Sequence, residues 1–294
     1  SSVGTATSRA MAKKTQMNML FGAMGALVLL FVGQQFFFHS VIEETSPVAK
    51  TKGKDFRIEV LSRKPKIQLW HNFLAPRVCE HFVSLGLITG MEIAKIVPYG
   101  GSELIQSTTR TNTAAWLQFQ QDPVLSEVEN RIAELTGSHA TWGESMQILR
   151  YEPGQEFQEH RDMFDPETDP PENFEPGGNR KITVLMFLRA PREGGETFFS
   201  KLDLKIKPKK GDAIAFWDLM PDGNPDLDTV HAGLPPIVGE KWIATKWIHE
   251  RPYQIKWMER QKKLLPQQEA EVEDEAPTAP RAAPHLSGED ADDY

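Results

Sequence analysis

Apolar residues fall along this chain in distinct regimes. From 15 to 38 there is no charge at all, and 17–38 is apolar apart from Asn18, Gln34 and Gln35. Further on, apolar positions recur at helical spacing. Val78, Phe82 and Leu85 line one side of a helix predicted over 75–87. Val124, Val128, Ile132 and Leu135 line a second over 123–135, with Gly137 placed to stop it. Beyond 146 the runs shorten. Those at 146–151, 181–189, 196–200, 212–217 and 242–248, with an earlier one at 67–73, are rich in β-branched residues and separated by Gly, Pro and acidic turns. That pattern predicts strands of an antiparallel sheet system.

The uncharged stretch is long enough to matter. In a helix, 17–38 would span about 33 Å, close to the hydrocarbon thickness of a bilayer. Arg9, Lys13 and Lys14 precede it and Glu43 and Glu44 follow. It predicts one membrane anchor over 17–38 between a polar segment, 1–16, and a stalk, 39–65. The alternatives are a cleaved signal peptide or a buried core helix; the bulky residues at 34–38 disfavour a signal cleavage site. The body, 66–255, is then luminal in a single-pass protein of the endoplasmic reticulum or Golgi. The Ser/Thr/Ala-rich opening keeps mitochondrial or plastid membranes as an alternative.

Charge and cysteine narrow the classes. The net charge of −8 falls on the end of the chain, where 266–294 holds nine acids and one Arg. Residues 256–294 therefore read as a charged segment and a disordered acidic tail. The balanced body lacks the basic footprint of a nucleic-acid binder. Cys79 is the sole cysteine, which excludes an intramolecular disulfide and a cysteine-built zinc site.

One constellation carries chemistry. His160 and Asp162 are two apart in an extended context, so both side chains face one way. His231, between two predicted strands, can supply a third ligand from a neighbouring strand. Two imidazoles and a carboxylate make a facial triad that holds Fe(II) and leaves positions open. A surface His–Asp pair and a zinc hydrolase site are the alternatives. Lys241 opens the apolar run 242–248, where an ammonium is costly unless a carboxylate pairs with it. The loop 165–178, with four Pro, two Gly and five acids, suits the rim of a site.

Further motifs stand in order around these residues. They are RTN at 110–112, QILRYEPGQ at 147–155, Asn179-Arg180, TVLMFL at 183–188 and GGET at 194–197. PKKGD at 208–212, AFW at 215–217, HAG at 231–233 and GEKWIATKWIHER at 239–251 follow. With them the chain resembles the prolyl 4-hydroxylase family of Fe(II)- and 2-oxoglutarate-dependent dioxygenases, in its membrane-anchored, single-chain form. The resemblance implies a mainly β fold with flanking helices, a double-stranded β-helix or cupin-like jelly roll. It implies His160, Asp162 and His231 as iron ligands and Lys241 as partner of the far carboxylate of 2-oxoglutarate. Tyr151, Thr183 and Trp247 would line that cosubstrate's pocket. Arg110, Glu144, Arg180 and His249 would lie near the substrate, and the loop 99–109 would cover it. The implied reaction is 4-hydroxylation of peptidyl proline in a proline-rich segment, using Fe(II), dioxygen and 2-oxoglutarate with ascorbate as reductant. Hydroxylation of a different residue is one alternative. Another is an accessory subunit of a membrane assembly, with partners reached through the N-terminal helix or the acidic tail. Phe157, where many relatives have Tyr, and Leu234, where relatives often have Cys, depart from the pattern.

Overall fold

Proline opens both helices. Pro76 begins α1 (Pro76–Thr89) and Pro123 begins α2 (Pro123–Thr136), in the first turn, where a missing N–H breaks no helical bond. Asp122 caps α2 by accepting the Leu125 N–H at 2.8 Å, and Gly137 ends it with a left-handed φ of 68°. The structure, a computed structural model, describes residues 56–255 apart from 99, 102 and 208. In chain order its strands are β1 (Arg57–Arg63), β2 (Lys66–His71), β3 (Glu92–Ile93), β4 (Lys95–Ile96), β5 (Ile105–Gln106) and β6 (Thr113–Trp116). After α2 come β7 (Gln147–Tyr151), β8 (Phe157–His160), β9 (Arg180–Arg189), β10 (Glu193–Gly194) and β11 (Thr197–Phe199). The last are β12 (Leu204–Ile206), β13 (Ala213–Trp217), β14 (His231–Gly233), β15 (Pro236–Val238) and β16 (Lys241–His249).

Eight strands join in the order β1-β2-β13-β9-β16-β7-β6-β3, and four more in the order β12-β11-β14-β8. Alternation along the strands separates two apolar layers. Ile182, Val184, Met186 and Leu188 of β9 pack with Val78 and Phe82 of α1 and with Val128 and Ile132 of α2. Leu185 and Phe187 point the other way, into a layer with Phe216, Ile243 and, from the smaller sheet, Phe199 and Ile206. Both faces of β9 and β16 are largely buried, which is why these strands are mostly apolar; Lys246 in the middle of β16 is paired with Glu129. The site lies between the two sheets.

Several expectations need correction. The described strands form no closed barrel and no jelly roll. They make a mixed α/β fold of several antiparallel sheets, because β4–β5 and β10–β15 pair only with each other and do not carry hydrogen bonding onward. Arg57–Arg63, inside the expected stalk, is a strand paired with β2 from Arg57 opposite His71 to Arg63 opposite Lys66. The anchor expected over 17–38 lies outside the described residues, as do 1–16 and 256–294. Among the described residues no helix is long and apolar enough to cross a membrane. The two α-helices have 14 residues each, about 21 Å against the roughly 30 Å required. The described residues therefore give no support to the membrane-anchored architecture, and the membrane and membrane-assembly partners and the single-pass placement in endoplasmic reticulum, Golgi or organelle are withdrawn with it.

Candidate active site

Strands β8 and β14 are antiparallel neighbours with His231 directly opposite His160, and Asp162 follows β8 by two residues. This register brings the three side chains together. His160 Nε2 is 3.7 Å from Asp162 Oδ1, and His231 Nε2 is 3.9 Å from Asp162 Oδ2. One ligand atom from each lies within 4.8 Å of the others, the single such group among the described residues. The rings are oriented from behind. His160 Nδ1 is 2.8 Å from the Gln158 carbonyl and His231 Nδ1 is 3.0 Å from the Thr229 carbonyl. A carbonyl only accepts, so each Nδ1 carries the proton and each Nε2 presents its lone pair to the shared centre. Burial, then the neighbouring His231, pushes the His160 pKa down to about 3, and burial also lowers that of His231. Two neutral imidazoles and one carboxylate are a donor set that fits Fe(II).

Lys241 is 1% exposed, at the start of β16 opposite Tyr151 of β7. Burial draws its pKa down to about 8, with Glu196 offsetting only part of that effect. No carboxylate of the described residues forms an ion pair with it. The cavity beside the triad is lined by Tyr151, Lys241 and Trp247, and also by Thr197 and Thr245. Thr245 Oγ1 is buried and has no hydrogen-bond partner among the described residues. A cationic tip beside an unsatisfied hydroxyl suits a small dicarboxylate.

Thr183 is not among the residues that line this cavity. Its Oγ1 lies 2.8 Å from Asp162 Oδ2 and 2.9 Å from Asp218 Oδ2, behind the triad. Thr197 and Thr245 were missed in the sequence. Period-two counting from Lys241 would have found Thr245, which shares its face with Lys241 and Trp247. Thr197 arrives from the smaller sheet, opposite Gly233, and no sequence spacing reports that.

A second, wider groove opens from His160, Asp162 and Trp247 outward past Phe157, Phe164, Trp116 and Leu104. Three of the four residues expected near the substrate form one cluster, in which the half-buried Arg180 lines the groove and Glu144 and His249 are buried behind it. Glu144 accepts from Arg180 Nε at 2.6 Å and Nη2 at 3.1 Å, and sits 2.9 Å from His249 Nε2. Burial alone would raise the Glu144 pKa, but Arg180 and His249 hold it down at about 2. Arg180 also donates to the Asp162 carbonyl at 3.3 Å and lies over the Trp247 ring at 4.3 Å, which ties the cluster to the triad. The fourth residue, Arg110, stands apart from that cluster. It lies 4.7 Å above the Phe157 ring and hydrogen-bonds to Asn112, Gln147 and the Lys95 carbonyl. Phe157 stacks on His160 with ring centroids 3.5 Å apart.

Comparison with known proteins agrees with this geometry. Residues 146–249, which include the triad and Lys241, match the 2OG-Fe(II) oxygenase superfamily. The chain is 37% identical over 215 residues to Probable prolyl 4-hydroxylase 8 of Arabidopsis thaliana, covering 67% of this chain and 72% of that protein. It is 36% identical over 216 residues to Probable prolyl 4-hydroxylase 3 of the same plant, covering 67% and 74%. The 2OG complex of the viral collagen prolyl hydroxylase from Paramecium Bursaria Chlorella virus-1 is 28% identical, with a TM-score of 0.49 over 67% of this chain and 97% of that one.

Proposed function

The chain belongs to the prolyl 4-hydroxylase family of the 2OG-Fe(II) oxygenase superfamily, and from that premise we propose that it hydroxylates peptidyl proline at the 4-position in proline-rich segments. The observation that carries this reading is the position of two triad members, His160 and Asp162, on an aromatic-lined groove. Proline-rich chains enter such grooves as polyproline II helices at little ordering cost.

Fe(II) and 2-oxoglutarate, when bound, supply the oxidising chemistry: dioxygen is consumed, 2-oxoglutarate becomes succinate and carbon dioxide, and a substrate C–H becomes C–OH. His160, Asp162 and His231 hold the metal. Both rings stay neutral because the Gln158 and Thr229 carbonyls keep the proton on Nδ1. Lys241 pairs with the far carboxylate of 2-oxoglutarate, aided by the hydroxyls of Tyr151, Thr197 and Thr245. Trp247 forms a wall shared by the cavity and the groove. Glu144 and His249 hold Arg180 against that wall, where it orients the peptide, and Arg110 lines the groove separately, over Phe157. No side chain is required as a general base. The oxygenase domain runs from β1 to 255.

The test is anaerobic titration with Fe(II) and 2-oxoglutarate, then succinate release with a proline-rich peptide. Succinate formed in step with one oxygen atom gained on proline is expected. Binding of both ligands without peptide-dependent turnover, or oxygen gained on another residue, would sink the substrate assignment.

A further inference from the structure

Asp218 is a buried carboxyl near the triad that the mechanism above leaves unused. It directly follows β13 and is 0% exposed. Its N–H donates to the Lys181 carbonyl at 2.9 Å, and its own carbonyl accepts the Asp226 N–H at 2.8 Å, so its backbone is fixed. Asp218 Oδ2 lies 2.9 Å from Thr183 Oγ1, and the same Oγ1 lies 2.8 Å from Asp162 Oδ2. A hydroxyl has one proton. Thr183 can donate to one of these carboxyls, so the other contact must run the opposite way. Asp162 is a metal ligand and therefore an acceptor only. The remaining arrangement has Asp218 donating to Thr183 and Thr183 donating to Asp162.

Two further observations agree. Asp218 Oδ1 is buried with no hydrogen-bond partner among the described residues. An ionised carboxylate would leave charge on that unsolvated oxygen, which costs far more than a lone neutral C=O. Burial, then the neighbouring Asp162, also carries the Asp218 pKa well above the ordinary carboxylate range.

We propose that Asp218 is a positioning residue for the metal site: its carboxylic O–H donates to Thr183 and so commits the single Thr183 proton to Asp162 Oδ2, leaving Oδ1 free as the ligand atom. The proposal rests on the reading of His160, Asp162 and His231 as the Fe(II) site. A chain of aligned hydroxyls strengthens each donor in turn, and groups that orient metal ligands typically contribute about 10- to 100-fold in affinity.

The full chain tests this with two readouts that need no turnover. In metal-free infrared difference spectra, wild type minus Asp218→Asn should contain the C=O stretch of a protonated carboxylic acid. Anaerobic calorimetry with Fe(II) alone should give Asp218→Asn a Kd within about threefold of wild type, because its amide N–H can donate to Thr183. Asp218→Ala should weaken Fe(II) binding by about tenfold and Thr183→Val by about 10- to 100-fold, with the double variant no worse than Thr183→Val alone. A carboxylate band in place of the acid band would overturn the proposal. So would an Asp218→Ala variant that loses stability but keeps wild-type Fe(II) affinity, the result a merely structural role predicts. If Asp218→Ala fails to fold, the acid band and the Asp218→Asn affinity decide. Wild type that binds no Fe(II) would overturn the site reading itself, and the infrared band distinguishes that failure because it is recorded without metal.

Discussion

Lys241 allows the sharpest quantitative test, through replacement by methionine, which keeps the length and removes the charge. Burial draws its pKa from the ordinary 10.5 down to about 8. That depression corresponds to roughly 3 kcal/mol held against the buried ammonium in the ligand-free protein. Below pH 8 both folded and unfolded chains carry the proton, and the folded state bears the whole cost. Between pH 8 and 10.5 the unfolded chain keeps a proton that the folded chain has released, so stability rises with pH. Above 10.5 the effect is complete. Lys241→Met should therefore be more stable than wild type near neutrality without ligand, by up to roughly 3 kcal/mol, and the difference should vanish by about pH 10.5. The cosubstrate reverses the order. A desolvated charge pair contributes roughly 2–5 kcal/mol, so 2-oxoglutarate affinity in the variant should fall by about 30-fold or more. Wild-type affinity should itself decline about tenfold per pH unit above 8, as the free lysine loses its proton. Urea denaturation without metal and anaerobic calorimetry with Fe(II) measure the two halves. A variant no more stable than wild type, with a 2-oxoglutarate Kd changed by less than about threefold, would refute the reasoning and leave Lys241 an ordinary strand-edge lysine.

Other outcomes follow from the same geometry. His160→Ala, Asp162→Ala and His231→Ala should each abolish Fe(II) binding by calorimetry while the circular dichroism spectrum stays native; retained binding in either His variant would remove the triad. Thr245→Val deletes a buried hydroxyl that has no partner, so ligand-free stability should hold or rise slightly while 2-oxoglutarate binding weakens by about three- to tenfold. Glu144→Ala leaves the half-buried Arg180 and the buried His249 without their carboxylate and should cost roughly 2–3 kcal/mol in urea denaturation. Asp122→Ala removes the cap of α2 and should cost about 1 kcal/mol in the same assay, with Fe(II) affinity unchanged.

Much of the site was legible in the chain because it obeys short-range rules. His160 and Asp162 share a face because successive strand side chains alternate. Lys241 stood out because an ammonium opening an apolar run needs a reason. Both helices could be placed from apolar spacing, with Gly137 marking the end of α2. The anchor expected over 17–38 came from hydropathy alone, and nothing in the described residues supports the architecture built on it.

Contacts between distant segments were not legible. The hydroxyl of Thr183 belongs to the back of Asp162 because β9 lies beside β13, which delivers Asp218 to its other side. Thr197 enters the cavity from a different sheet, and Glu144, Arg180 and His249 meet from three separate stretches of chain. The strand β1 does carry apolar alternation, at Phe56, Ile58 and Val60, but its largely exposed side chains and the polar, lysine-rich stretch before it gave the expectation of a stalk. The chain alone marked His160 and Asp162 by their two-residue spacing and His231 and Lys241 by residue type and flanking motifs, all of which are local signals. Only the tertiary structure decided which hydroxyls face the cavity and which one backs Asp162, because that depends on strand register across sheets, where one residue of slip turns every side chain to the opposite face.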